Sequence, residues 1–222
     1  MARLEAMASR TIYRTTIRDS WRWMWWDIPL RLVPLTAIPI LYLLVTRNSP
    51  ATLGLTENHL ARDLALAIPC GLAGFGIAAA FSDYLSRRSG RWFVPDRGDL
   101  LLQTFYYLVP NAFVEELFFR GLIQGTLIRW WQIPALALAA TTLLFGGYHL
   151  LGRWGWRPVA GATVGGLAVG LLYLWQPEPP SLLLPVVVHA AMTAGFLSLG
   201  PSLLFAWRQR TTGASGVIQG TP

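Results

Sequence analysis

Val114-Glu115-Glu116-Leu117-Phe118-Phe119-Arg120-Gly121 sets two adjacent carboxylates and an arginine inside a stretch otherwise apolar enough to lie in a membrane. Ionisable groups at that depth are costly, and they persist where they pair with one another or serve a site. Outward from this stretch, apolar runs near the length of about 20 residues that a span requires fall at 28–46, 64–85, 100–124, 133–151, 158–175 and 181–206. They are too long and continuous for the ten-residue alternating strands of a membrane barrel. The expected fold is therefore all-α, a polytopic transmembrane helix bundle of about six spans. Arg31, Pro34 and Pro39 interrupt the first run and Pro110 the third, so kinks or short half-helices are expected in both.

Composition agrees with this reading. The chain of 222 residues is 54% hydrophobic and 13% charged, too apolar for its polar side chains to cover a soluble domain. Its net charge of +7 comes from arginines scattered through loops and tails, without the single basic stripe that nucleic-acid binding uses. No nucleic-acid partner is expected. The N-terminal tail (Arg3, Arg10, Arg14, Arg18, Arg22), the loop at 86–99, the loop with Arg153 and Arg157, and the C-tail (Arg208, Arg210) are basic, whereas the alternate connections are balanced or acidic, with Arg129 the single dissenting charge. Both termini should thus be cytoplasmic, in an integral membrane protein whose Arg-rich loops and compact size point to a bacterial cell membrane.

The domain layout that follows has three parts. Residues 1–27, with Trp21, Trp23, Trp25 and Trp26, form an interfacial N-terminal segment; 28–206 form the membrane domain, with its motifs at about 100–200; 207–222, rich in Gly, Thr and Ser, form a disordered tail. The Arg-rich first twenty residues lack the h-region and cleavage site of a cleaved signal. Cys70 is the only cysteine, which leaves no intrachain disulfide and no thiolate cluster. Gly161-x-x-x-Gly165 and Gly166-x-x-x-Gly170 in the fifth run mark a face for close helix packing.

Residue spacing suggests chemistry in the remaining polar groups. Glu116 and Arg120 are four apart and neighbours on a helix, a structural ion pair. Glu115 lies about 100° around the helix from Glu116, which leaves it without that partner and available as a general base toward water. Phe145-x-x-x-His149 and His189-x-x-x-Thr193 lie in later runs, the second placing an imidazole and a hydroxyl one turn apart. Amide hydrolysis needs a base, an oxyanion donor and a proton source. Glu115 can deprotonate the water with His149 orienting it, and His189 with the Thr193 hydroxyl can donate hydrogen bonds to the oxyanion. Alternatively, Glu115, His149 and His189 form a zinc set of two histidines and a glutamate, although no familiar zinc motif signals it and a metal-free water is the favoured reading. The plainer alternative is one buried salt-bridge network with core histidines.

At these positions the chain resembles the CPBP family of intramembrane proteases, which includes the CAAX prenyl endopeptidases and the bacterial Abi-type proteins. The family pattern is Glu-Glu-x-x-x-Arg, Phe-x-x-x-His and His-x-x-x-Asn on separate membrane helices; here Glu115-Glu116-x-x-x-Arg120 and Phe145-x-x-x-His149 match it, and His189-x-x-x-Thr193 departs only in Thr for Asn. The resemblance implies a glutamate-type intramembrane endopeptidase in which Glu115, His149 and His189 hold the attacking water and Thr193 assists the oxyanion. Glu116, Arg120 and Phe145 are the supporting residues. It implies as partners the bilayer and a peptide or membrane-protein substrate: a prenylated CAAX tail, a bacteriocin or pheromone precursor, or a sorting-signal helix. It leaves open whether zinc takes part. The rival readings are a proton-coupled transporter or relay and a non-enzymatic membrane scaffold of the same fold.

Overall fold

A computed structural model describes residues 11–152, 154–212 and 217–220. Helix dominates. After strand β1 (Thr11–Thr15), helix α1 runs unbroken over Ile17–Thr46; α2 (Leu60–Ser89) leads into strand β2 (Arg91–Pro95), and α3 covers 97–131. Then follow α4 (Pro134–Leu150), α5 (Trp156–Leu174), α6 (Leu183–Leu197), α7 (Leu199–Thr212) and strand β3 (Val217–Gly220).

The all-α bundle is the observed architecture, and helix length and composition support three or four of the six expected spans. Among the described residues, Ile17–Thr46, Leu60–Ser89 and Trp156–Leu174 are long and apolar enough to cross a membrane, and the pair α6–α7, bent by 42°, makes a fourth if it is one span. The other two expected spans fall short of that standard: α4 has only 17 residues, and α3 carries Glu115, Glu116 and Arg120. At Pro34, Pro39 and Pro110, where kinks or short half-helices are expected, the helices are locally irregular but not interrupted. Proline lacks the N–H that an α-helical turn requires, and here π-helical turns at Ile28–Leu32 and Tyr107–Asn111 stand beside or include prolines while the helices continue.

Two boundaries also move. α1 starts at Ile17, so the Trp-rich segment is its first three turns and no break lies at 27/28; Trp25 and Trp26 face outward, while Trp23 stacks on Tyr107. The tail expected to be disordered from 207 continues α7 to Thr212 and returns as β3. Its composition gives no sign of order, because the order comes from backbone pairing with a strand at the other end of the chain.

That pairing builds a parallel sheet in the order β2-β1-β3, with Thr11 opposite Arg91 and Val217, and Thr15 opposite Pro95. α1 leaves this sheet and α2 returns to it, so β1, the α2–α3 connection and β3 gather at one end of the bundle. The start of α5 lies beside the last turn of α2 at the same end. Below the sheet, Gln103 donates to both Ser20 and Asp99, and Thr15 donates to Asp99, which fixes the first turns of α3 against α1. Arg3, Arg10 and Arg153 lie outside the described residues.

The glycine pairs of α5 do more than pack. The carbonyls of Gly166 and Gly170 accept hydrogen bonds from Arg120 (2.6 Å) and Gln124 (3.0 Å), one turn apart on each helix. A Cβ at Gly166 would lie 2.6 Å from Cδ1 of Phe145. Gly166→Ala should accordingly lower stability by about 1–3 kcal/mol, the usual cost of overpacking a filled core, read as a drop in detergent-solubilised melting temperature; an unchanged melting temperature would show that Phe145 can move aside freely.

Candidate active site

Glu115 and Glu116 close the α-helical turn Ala112–Glu116, after which α3 opens into a π-helical turn, Leu117–Gln124, that carries Arg120. The other two π turns carry Arg31 and Asn111. Such turns recur at functional sites because the extra residue re-aims side chains that a regular helix would place elsewhere. Here all three bear side chains of a single polar cluster.

Glu115, Glu116 and Arg120 expose 1% of their surface or less. Burial of this degree is tolerable only with partners. Glu116 Oε1 accepts from Arg120 Nη1 at 2.8 Å and from His189 Nδ1 at 2.6 Å. Arg120 is further held by the Gly166 carbonyl and lies 4.6 Å over the Phe145 ring.

Glu115 has a partner that spacing along its own helix does not reveal. Its Oε1 is ion-paired with Arg31 of α1. Arg31 in turn donates to Asp27 through Nε (2.7 Å) and Nη2 (2.6 Å) and to Asn111, and the Tyr106 hydroxyl donates to Asp27. The expectation that Glu115 is an unmatched acid is therefore corrected: its cation comes from 84 residues earlier. Oε2 of the same carboxylate is buried, has no hydrogen-bond partner, and stands 3.6 Å from His189 Nε2. His189 is thus set between the two glutamates, with Nδ1 on Glu116 and Nε2 toward Glu115.

Phe145 is the apolar partition of the cluster, its ring 4.5 Å from that of His149, 5.8 Å from that of His189 and 5.0 Å from that of Phe119. His149 Nδ1 lies 2.8 Å from the Phe145 carbonyl. A carbonyl only accepts, so Nδ1 carries the hydrogen and Nε2 is left for other contacts. His149 makes no hydrogen bond to either glutamate. Thr193 is half-buried on α6 and forms no side-chain hydrogen bond among the described residues. The zinc set fits this arrangement poorly: among the described residues no three His, Cys, Asp or Glu side chains are grouped to hold a metal ion, and one oxygen of Glu115 is committed to Arg31.

The helical architecture and the buried carboxylate–imidazole cluster define an integral membrane protein with a polar site enclosed by its helices. Residues 97–195 match the family model described as type II CAAX prenyl endopeptidase Rce1-like, so this segment is similar to the intramembrane protease family that its motifs resemble. Members of that family are generally membrane proteases. No curated protein and no solved structure matches the chain. Glu115, Glu116, Arg120, Phe145, His149, His189 and Thr193 all fall within the matched segment, whereas Asp27 and Arg31 precede it. Sequence reasoning missed these two. The available signal was Arg31 itself, a cation within an apolar span, which requires an acid on another helix.

Proposed function

We propose that the protein is an intramembrane endopeptidase that cleaves a membrane-associated or C-terminal-tail peptide with water activated by Glu115. The observation that carries this reading is Glu115 Oε2, which is buried, lacks a hydrogen-bond partner and stands 3.6 Å from His189 Nε2. Arg31 fixes the carboxylate through the other oxygen and leaves Oε2 to take a proton from water. The water oxygen then attacks the scissile carbonyl carbon, and His149 orients it. Negative charge that develops on the carbonyl oxygen is met by His189 Nε2–H and the Thr193 hydroxyl. The proton on Glu115 passes to the amine nitrogen as the C–N bond breaks.

The position of His189 between the two glutamates supports its role. Glu116 accepts from Nδ1 and holds the ring in the orientation that turns Nε2 to Glu115. Gathering of the Arg-rich segments at the sheet end supports placing both termini in the cytoplasm, and a bacterial cell membrane remains the proposed location. The substrate class is a peptide whose scissile bond can reach a site between helices.

The test is reconstituted protein in vesicles with a library of membrane-tail peptides. Discrete products that depend on Glu115 are expected; proton-coupled flux without products would favour a transporter and overturn the reading. Two further outcomes check its parts. Chelated protein should keep its turnover without stoichiometric zinc, measured by elemental analysis; zinc that tracks activity and is lost in His149→Ala or His189→Ala would replace the metal-free version. Thr193→Val, which keeps the shape and deletes the hydroxyl, should lower turnover by roughly tenfold or more, toward the 10²–10³-fold of a dedicated oxyanion donor. Wild-type turnover in both Thr193→Val and Thr193→Ser would make Thr193 a packing residue.

A further inference from the structure

The sheet end of the bundle carries a cavity of about 580 Å³, bordered by the last turns of α2, by β2, by the start of α5 and by the α6–α7 bend. It is separate from the glutamate–histidine cluster. Arg88, Arg91 and Arg157 line it, and none of them forms an ion pair among the described residues. The acid nearest in sequence, Asp83, is already held by Arg87 at 2.9 Å and Arg208 at 2.6 Å. Of the three, Arg88 has only a 3.5 Å contact to the Tyr84 hydroxyl, and Arg157 lies 4.7 Å over the Trp156 ring. Three cations thus share one concavity, with no anion among the described residues paired to them.

Neutral groups of the wall add to the anion preference. Ser86 and Ser89 border the cavity, and α5 begins there at Trp156 after the N-cap Gly155, which offers no side-chain cap to the first N–H groups of the helix. The remaining wall is apolar and aromatic: Phe93 is 53% exposed and Trp156 71% exposed. A small soluble anion has no use for that surface. A phospholipid does, because its phosphate and its glycerol–acyl portion meet a protein side by side at the depth where a membrane-spanning helix ends. α2 ends at this cavity with Arg87 and Arg88 in its last turn.

We propose that this cavity binds the phosphate headgroup of an anionic phospholipid, with Arg88, Arg91 and Arg157 on the phosphate and Phe93 and Trp156 along the glycerol–acyl portion. The site does not depend on peptide cleavage and is read by binding alone. The experiment uses the full chain in detergent micelles and follows one-to-one lipid adducts by native mass spectrometry during titration with phosphatidylglycerol, phosphatidylcholine or inorganic phosphate. Two variants are compared with the wild type: one with Arg88, Arg91 and Arg157 changed to Gln, the other with Arg14, Arg18 and Arg22 changed to Gln, which removes the same charge from the same end.

Phosphatidylglycerol affinity should fall about tenfold or more in the first variant and less than about threefold in the second. Phosphatidylcholine should bind the wild type at least about tenfold more weakly. Equal losses in the two variants would overturn the site in favour of general surface attraction. Equal binding of phosphatidylcholine would overturn anion recognition, and inorganic phosphate that displaces the lipid at equal concentration would make the occupant a free anion. Arg91→Gln alone, at an exposed side chain without a hydrogen-bond partner, supplies the same comparison if the triple variant accumulates poorly, with a loss of about threefold expected and no loss counting against the proposal.

Discussion

Glu115→Gln lowers peptide-bond cleavage by roughly 10²–10⁴-fold, the contribution of a general base, while the protein still accumulates in the membrane. The geometry separates these two effects. Glutamine keeps an oxygen that accepts from Arg31, so the contact between α1 and α3 survives, and Arg31 retains Asp27 and Asn111 as further acceptors. What is lost is the capacity of the second oxygen to take a proton. Turnover must therefore be compared at equal amounts of folded protein, judged by detergent-solubilised melting. A variant that keeps more than about half of normal turnover would remove Glu115 from the chemistry and leave it a structural partner of Arg31.

Arg120→Met or Glu116→Gln alone should destabilise the protein by about 3–5 kcal/mol, the range for breaking a buried ion pair by removing one partner. Their surroundings justify the upper part of this range. Without Arg120, Glu116 keeps only His189, and the Gly166 carbonyl loses its donor; with Gln at 116, Arg120 keeps acceptors but loses the carboxylate charge it is paired with in an apolar setting. The double variant should lose less than the sum of the two, because it leaves no uncompensated charge. Melting of the four proteins in one detergent decides this, and strict additivity would argue against direct coupling. Glu116→Gln should also reduce turnover, since it loosens the hydrogen bond that sets the His189 ring.

The helical class and most of the polar cluster were legible in the sequence because both rest on local rules. Apolar length identifies helices, and the spacing of Glu116 and Arg120 places them side by side within one helix. The Arg31–Glu115 pair was not legible in the same way. Arg31 reads as an interruption of a span and Glu115 as an acid without a cation, and only the packing of α1 against α3 joins them. The sheet escaped notice for a related reason. Its strands have four or five residues, lie among arginines and small polar residues, and carry too little alternation to stand out; their partners are 80 and 206 positions apart in the register Thr11–Arg91 and Thr11–Val217. Thr193 is the opposite case, prominent in the motif yet without a side-chain hydrogen bond among the described residues.

The Arg31–Glu115 pairing also bears on the order in which the chain is made. Synthesis runs from the N-terminus, and segments fold as they emerge, so Arg31 is already in place when Glu115 reaches the membrane. Glu116 arrives with Arg120 four residues behind it on the same helix. Each acid of the motif can therefore be neutralised on entry, before His189 has been translated. His189 joins after both acids have met an arginine, and its ring then links them, with Nδ1 on Glu116 and Nε2 toward Glu115.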